Sequence, residues 1–488
     1  MKKNIVIVGS GTAGMLAAIM LKDYFPKYSI TVISSKEIGI IGVGEGSTEH
    51  WKNSFMLPHH IDVGRLIEET DATHKYGIRY ENWTNHTPEY FHSVSAGPIQ
   101  ANSFAGNYAF ALENGWLLTN TTTPHLRDDT VIDTPLPHNN TNQFHFDTYK
   151  LNNFLGTIAQ ERGVSFVEGI VAKVERNPET GFIESLVTDT GLRASADFVI
   201  DASGFKRVVM SKLEGSEGFV SYRKYLPCDS SAVFPTPMRE YGKIHPFTRA
   251  RAMPNGWMFE IPTQKRRGNG YIFSSDFCSD EQAVRELSEA HGRDITPAKI
   301  IKFKSGYFSE PLLFNCASVG LASSFVEPLE ATSISTTIQQ VQMITALLPT
   351  FHIGHKAQVR QYKKRFEKLM ENIVTMIALH YMSDREDTEM WKAQKNAEKP
   401  ALLQELLELW SERSPQSIDV PGYQDDTGLF HLAHFYHVAQ GQGVLSPLIA
   451  TEELNAYGSR KGMIQEFDKL KIQMLSTRVV DHASIFKK

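Results

Sequence analysis

At 488 residues with 41% hydrophobic side chains, the chain is long enough for roughly two to four structural lobes around a sizeable core. Its 50 basic and 55 acidic residues leave a net charge of −5, which gives no electrostatic footing for nucleic acid or an anionic membrane. No apolar run reaches the roughly 18 residues of a membrane span, and Cys228, Cys278 and Cys316 are too scattered for a disulfide framework or a zinc ribbon. A reduced, cytoplasmic setting without a signal peptide is expected.

Residues 4–8 form a continuous apolar run that reads as a strand. Gly9-Ser10-Gly11-Thr12-Ala13-Gly14 follows as GxGxxG, then a helix over 15–24 that ends before Pro26, then a strand over 28–33. Strand, glycine turn, helix and strand together are the setting of dinucleotide binding. Gly9 makes the turn, Gly11 lets the backbone approach a pyrophosphate, and Gly14 allows close helix–strand packing, with Thr12 and Ala13 completing the cradle. The second strand ends in Ser34-Ser35-Lys36-Glu37 instead of the usual acidic residue, which leaves the ribose to a serine or to Glu37. Gly42, Gly44 and Gly46 then make a loop able to wrap a cofactor, with Glu45 and Ser47 as further contacts.

Residues 73–83 alternate, placing Tyr76, Ile78 and Tyr80 on one face and Lys75, Gly77, Arg79 and Glu81 on the other. The pattern predicts a half-buried strand with a solvated polar face. The stretch 88–142, rich in Asn, Thr, Pro and Gly, reads as long loops. Asp147 is a plausible N-cap for a helix over 149–160. Strands follow at 164–167, 171–174 and 183–188, and 198–201 runs into a turn of small residues. In the strand 256–262, Trp257, Phe259 and Ile261 share a face.

A buried strand is expected at 317–322. Beyond it Pro328 suits a first helical turn, and Ile334, Ile338, Val341 and Ile344 step through a helix over 331–348. Such a strand-to-helix junction suits an anion, and Glu330 sits there. Helices at 357–381 and 401–410 and a polar linker at 413–428 complete the pattern. His431, His434 and His437 step by three, but no carboxylate or cysteine completes a metal site, so none is expected.

The motifs GSGTAG, GVGEGST, KYGIRYENW, HFD, IDASG, GWMFEIP, VEPLEATS and HYMSDREDTEMW, in this order from the N-terminus to about Trp391, resemble the flavin-dependent tryptophan halogenases. The resemblance implies an α/β fold with a Rossmann-like FAD lobe over 1–348, carrying inserted sheet and loops at about 51–144 and 215–310, and a mainly helical substrate lobe over 349–488. It puts Lys75 on the family's catalytic lysine and Glu330 on its catalytic glutamate. Thr332 and Ser333 fall on the pair whose amides hold halide. Asp201 and Gly320 join the glycines as FAD contacts, and His92, Trp257 and Phe259 fall along the substrate tunnel.

The implied chemistry uses FADH2, O2 and chloride, bromide or iodide to make hypohalous acid. Lys75 hydrogen-bonds that acid or becomes a haloamine, while Glu330 orients the electrophile and takes the arene proton. A separate NAD(P)H-dependent flavin reductase and a small aromatic substrate are the implied partners, and a homo-oligomer is compatible with the pattern. Ser333 stands where the family usually has Gly, and Phe259 replaces a Trp. The tyrosine pair and glutamate that grip free tryptophan have no counterpart in Tyr423-Gln424-Asp425-Asp426-Thr427 or in LFHLAHFYHVAQGQG. An indole or phenol substrate is therefore expected. Two alternatives stay open: an FAD-dependent aromatic hydroxylase, against which Gly320-Leu321 stands in place of Gly-Asp, and a non-catalytic flavin-binding protein.

Overall fold

The computed structural model describes residues 2–39, 42, 45–93, 129–132, 141, 143–238, 242–352, 354–416, 418–420, 428–456, 465, 469 and 478–486. Its first sheet is built from the apolar runs at the N-terminus. Asn4–Val8 lies between Ser29–Ser34 and Phe198–Asp201, all parallel, with Ser165–Glu168 and Cys316–Ser318 extending the parallel order on either side. Leu312–Leu313 pairs antiparallel at one edge. Central strands of such a sheet are covered on both faces, which is why IVIV and FVID are continuous apolar runs and not alternating ones.

The helix Thr12–Tyr24 buries residues 14–21 and shares one core with the first sheet and with the helix Ser333–Leu347. In the latter, Ile338, Val341 and Ile344 are fully buried, each worth about 1.5–3 kcal/mol relative to exposure. Two glycines set the spacing. A Cβ on Gly14 would lie 2.0 Å from the Gly9 carbonyl oxygen. Gly320, at φ +59°, would put one 2.6 Å from the Ala13 Cβ. A larger residue at Gly14 would push its helix off the Gly9 turn, and one at Gly320 would push the turn Gly320–Ala322 away from Ala13.

The two expected insertions meet in a second sheet of seven strands. Lys299–Lys302, Ser230–Pro237, Arg266–Phe273, Gly256–Pro262 and Thr248–Met253 are followed by Gly77–Glu81 and Glu89–Ser93. The seam between the insertions is parallel, with Ile78 opposite Thr248. A three-stranded sheet of Glu45–Gly46, Gln143–Phe146 and Thr73–Lys75 ties the cofactor-side loop to this region.

Several expectations change here. Residues 73–83 form two strands, Thr73–Lys75 and Gly77–Glu81, broken at Tyr76, and Gly77 has φ +152°. Their polar face is covered, not solvated: Lys75, Gly77 and Glu81 are buried and Arg79 is half-buried. The expected loops of 88–142 contain the strands Glu89–Ser93 and Thr130–Ile132. The strand expected at 317–322 shrinks to Cys316–Ser318, and the helix begins only at Ser333. Pro328 opens a separate 3-10 turn, Pro328–Glu330, which ends at Ala331 with φ +54°.

After Lys356–His380, the helices Glu389–Lys395, Ala401–Glu412, Leu432–Gly441 and Pro447–Ala456 follow. Residues Phe366, Ile373, Ile377, Leu403, Phe435 and Leu454 share a core with Ile78, Tyr80 and Trp257 of the seven-stranded sheet. The chain then returns as a strand, Val479–Asp481, paired antiparallel with Thr130–Ile132. Among the described residues no helix is long and apolar enough to cross a membrane.

Candidate active site

The turn Pro328–Glu330 delivers the Glu330 side chain into a buried polar cluster. Its Oε1 accepts from the Tyr80 hydroxyl at 2.6 Å and from Nε2 of His380 at 2.6 Å, and Nδ1 of His92 lies 2.9 and 2.8 Å from its two oxygens. A carboxylate only accepts, so Nδ1 of His92 and Nε2 of His380 carry hydrogens. The other ring nitrogen of His380 then accepts from the Tyr90 hydroxyl at 2.8 Å, which in turn accepts from the Gln442 amide at 2.9 Å. Burial alone would raise the pKa of Glu330. The adjacent His92 and the hydrogen bonds from His380 and His92 outweigh it and hold the carboxyl well below its usual range. Glu330 is therefore a fixed anion.

Lys75 ends the short strand Thr73–Lys75, and its Nζ donates to the Ser47 carbonyl at 2.8 Å. It is 1% exposed, and burial pushes its pKa down to about 8 against the opposing field of Glu330. Lys75 and Glu330 line one pocket of about 320 Å³, its open mouth included, together with Thr48, Glu49, Ile78, His92, Gln143, Phe430 and His434. A Cβ on Gly46 would sit 3.5 Å from both the Lys75 Nζ and the Ala331 Cβ. The loop that carries Gly46 thus passes between the lysine and the junction.

Two residues beyond Glu330, Thr332 is the N-cap of Ser333–Leu347, and no side chain caps the first N–H groups of that helix. Such a 15-residue helix presents free amides and the positive end of its dipole. The crevice on the other side suits a dinucleotide. Helix Thr12–Tyr24 likewise lacks a side-chain cap, and a Cβ on its N-cap Gly11 would meet no protein atom within 4 Å. A Cβ on Gly9, at φ +109°, would strike the Ala202 carbonyl at 2.5 Å. The cradle is open where a pyrophosphate would approach and tight where the turn must close, so these residues fit the group.

The description "Tryptophan halogenase" belongs to the family whose profile matches residues 4–452. The chain belongs to the tryptophan halogenase family. The tryptophan 6-halogenase SttH of Streptomyces toxytricini is 30% identical over 465 residues, covering 86% of each chain. Among solved structures, the flavin-dependent halogenase Xcc4156 of Xanthomonas campestris aligns with TM-score 0.85 at 26% identity over 99% of this chain and 98% of its own. Tar14, a tryptophan C-6 halogenase from taromycin biosynthesis, gives TM-score 0.86 at 27% identity over 97% and 96%. This protein is thus an enzyme of the flavin-dependent halogenase class, an oxidoreductase, with a Rossmann-like FAD lobe and a helical lobe.

Other residues singled out in this halogenase sequence have different surroundings. Trp257 and Phe259 are buried but do not line the pocket. Trp257 donates to Oε2 of Glu327 at 2.8 Å, and Phe259 lies over Gly270, where a Cβ would come within 2.4 Å of its ring. Both oxygens of Asp201 are taken by protein donors: Ser203 on one, and the Val209 and Met210 amides, at 2.9 and 2.8 Å, on the other. Its carboxylate holds the turn after the strand. Ser47 accepts from the Phe144 amide through its hydroxyl and from Lys75 through its carbonyl, so it positions the lysine. Glu45 is half-buried with one carboxyl oxygen enclosed, and burial pushes that carboxyl up to about 7. Gly42 packs on Thr148, while Gly44 and residues 423–427 lie outside the described residues. Sequence reasoning missed Tyr80, Tyr90, His380 and Gln442, which come together only through the fold.

Proposed function

We propose that this halogenase uses FADH2, O2 and halide to make hypohalous acid and delivers it through Lys75 to an electron-rich arene such as an indole or phenol. The observation that carries this reading is the convergence of Lys75 and Glu330 on one pocket, beside the uncapped N-terminus of Ser333–Leu347. FAD held along Gly9, Gly11, Thr12, Ala13 and Gly14, with Gly320 behind the cradle, supplies the oxidising power when reduced. Halide rests at the Thr332 and Ser333 amides, favoured by the helix dipole.

At neutral pH most of Lys75 is an ammonium, and it donates a hydrogen bond to the oxygen of the hypohalous acid, which makes the halogen more electrophilic. Glu330 faces the cationic ring that forms when the arene attacks, and stabilises it. Its low pKa makes it a weak base, yet a protonated arene is so strong an acid that a weak base suffices. His92, Tyr80 and His380 hold the carboxylate in place. The reduced flavin is expected from a separate NAD(P)H-dependent reductase, and three buried free thiols suit a reduced, cytoplasmic setting.

The test is a product assay by mass spectrometry. It uses FAD, a flavin reductase, each halide in turn and a panel of indoles, phenols and free tryptophan. Halogenated indoles or phenols that vanish in Lys75→Ala are expected. Oxygenated products would indicate a hydroxylase, and tryptophan turning over far faster than simple indoles would overturn the substrate assignment.

A further inference from the structure

The fold supplies the carboxylate that the histidines lack in sequence. Oε1 of Glu49 lies 3.8 Å from Nε2 of His431 and 4.0 Å from Nε2 of His434. One ligand atom from each of the three lies within 4.8 Å of the others. His431 caps the helix Leu432–Gly441 and His434 follows one turn on, so their rings come side by side with centroids 4.1 Å apart. Nε2 of His434 is buried and has no hydrogen-bond partner among the described residues. A buried ring nitrogen aimed at two other donors calls for an occupant.

We propose that Glu49, His431 and His434 form a binding site for one divalent transition-metal ion of the Zn2+ class. Two imidazoles and a carboxylate are a donor set such ions favour, and they leave an open coordination position. Bonds of about 2.0–2.1 Å place tetrahedral donors about 3.3 Å apart, so the two separations from Glu49 must close by about 0.5 and about 0.7 Å. Glu49 and His431 can do this, because their side chains keep 20% and 19% of their exposure, which also gives the ion a way in.

The site is wired to the pocket. Nδ1 of His434 lies 2.7 Å from Nε2 of His92, whose Nδ1 faces Glu330. A metal on Nε2 of His434 puts that ring's hydrogen on Nδ1, where it is donated to His92. The hydrogen of His92 is then fixed on the side of Glu330. The ion would thus have His92 as an outer-shell partner and would stiffen the wall formed by Glu49 and His434.

Ion binding does not depend on the reaction proposed above, and its test does not read turnover. Tag-free, chelator-treated enzyme is titrated with Co2+ while its visible absorption is followed, and Zn2+ is then added in competition. Intense bands of a low-coordinate Co2+ saturating at about one equivalent and displaced by Zn2+ are expected. His431→Ala and Glu49→Gln should each weaken binding at least about 10-fold, with circular dichroism verifying their fold. His352→Ala, in a separate histidine pair with ring centroids 3.6 Å apart, should leave the bands unchanged. Absence of such bands in the parent enzyme, bands that persist unchanged in both ligand variants, or their loss in His352→Ala would overturn the proposal.

Discussion

Replacing Lys75 by Met should abolish halogenation and at the same time make the protein more stable. The lysine is enclosed, has one hydrogen-bond acceptor, and is pushed from an ordinary 10.5 to about 8 by burial, with Glu330 pulling the other way. That displacement corresponds to roughly 3 kcal/mol of disfavour toward the ammonium in the folded state. The folded-state pKa is the lower one, so the burden is fully present below pH 8. It is relieved as pH rises from 8 toward 10.5, where the folded protein has lost the proton and the unfolded chain still holds it. Met fills a similar volume without a charge, so Lys75→Met should raise the unfolding free energy by about 2–3 kcal/mol at pH 7, allowing for the lost Ser47 contact, and by only about 1 kcal/mol near pH 9.5. Urea unfolding of both proteins at saturating FAD and several pH values measures this directly. A variant less stable than its parent at pH 7, or a difference that does not shrink toward alkaline pH, would refute the reasoning.

The same group predicts the pH profile of the halogenation step. If the ammonium is the working form, the ratio of halogenated product to released peroxide should fall as pH rises through about 8; a ratio rising there would assign the step to the free amine. Glu330→Gln places an amide donor among three donors, so it should cost about 1–3 kcal/mol of stability in thermal or urea unfolding and lower halogenation at least about 100-fold. Gly11→Ala adds a methyl where no protein atom lies within 4 Å. The melting temperature without FAD should hardly move while FAD affinity, read by flavin fluorescence, falls at least about 10-fold.

The parts of the fold legible in sequence are those whose cause is local. The apolar run at 4–8, the glycines behind it, the Asp147 cap and the stepping isoleucines of Ser333–Leu347 each fix an element within a few residues, and the elements stand nearly where they were expected. Alternation at 73–83 misled about solvation because periodicity reports which residues share a face, not what covers it. Here Gln143–Phe146 and the loop at Ser47 cover the face of Lys75. The polar cluster was illegible for the same reason. Tyr80, Tyr90, His92 and His380 sit on two neighbouring strands and one helix end, and only the docking of the helical lobe onto the seven-stranded sheet turns them toward Glu330. Glu49 was equally invisible beside His431 and His434. Lys75 and Glu330 were marked by the family resemblance, not by spacing.

The two candidate catalytic groups are held in opposite ways, and the opposition is chemically useful. Glu330 has three protein donors on its oxygens and is fixed as an anion. Lys75 has a single backbone carbonyl and is poised to give up its proton near neutrality. A buried ion pair in close contact would satisfy both charges, leaving neither to act on a third species. Keeping the carboxylate occupied by its own hydrogen-bond donors leaves two of the ammonium's hydrogens without a protein acceptor among the described contacts, directed to whatever enters the pocket. The cost is the instability that Lys75→Met should relieve, and the location of that instability marks where the protein has placed reactivity above packing.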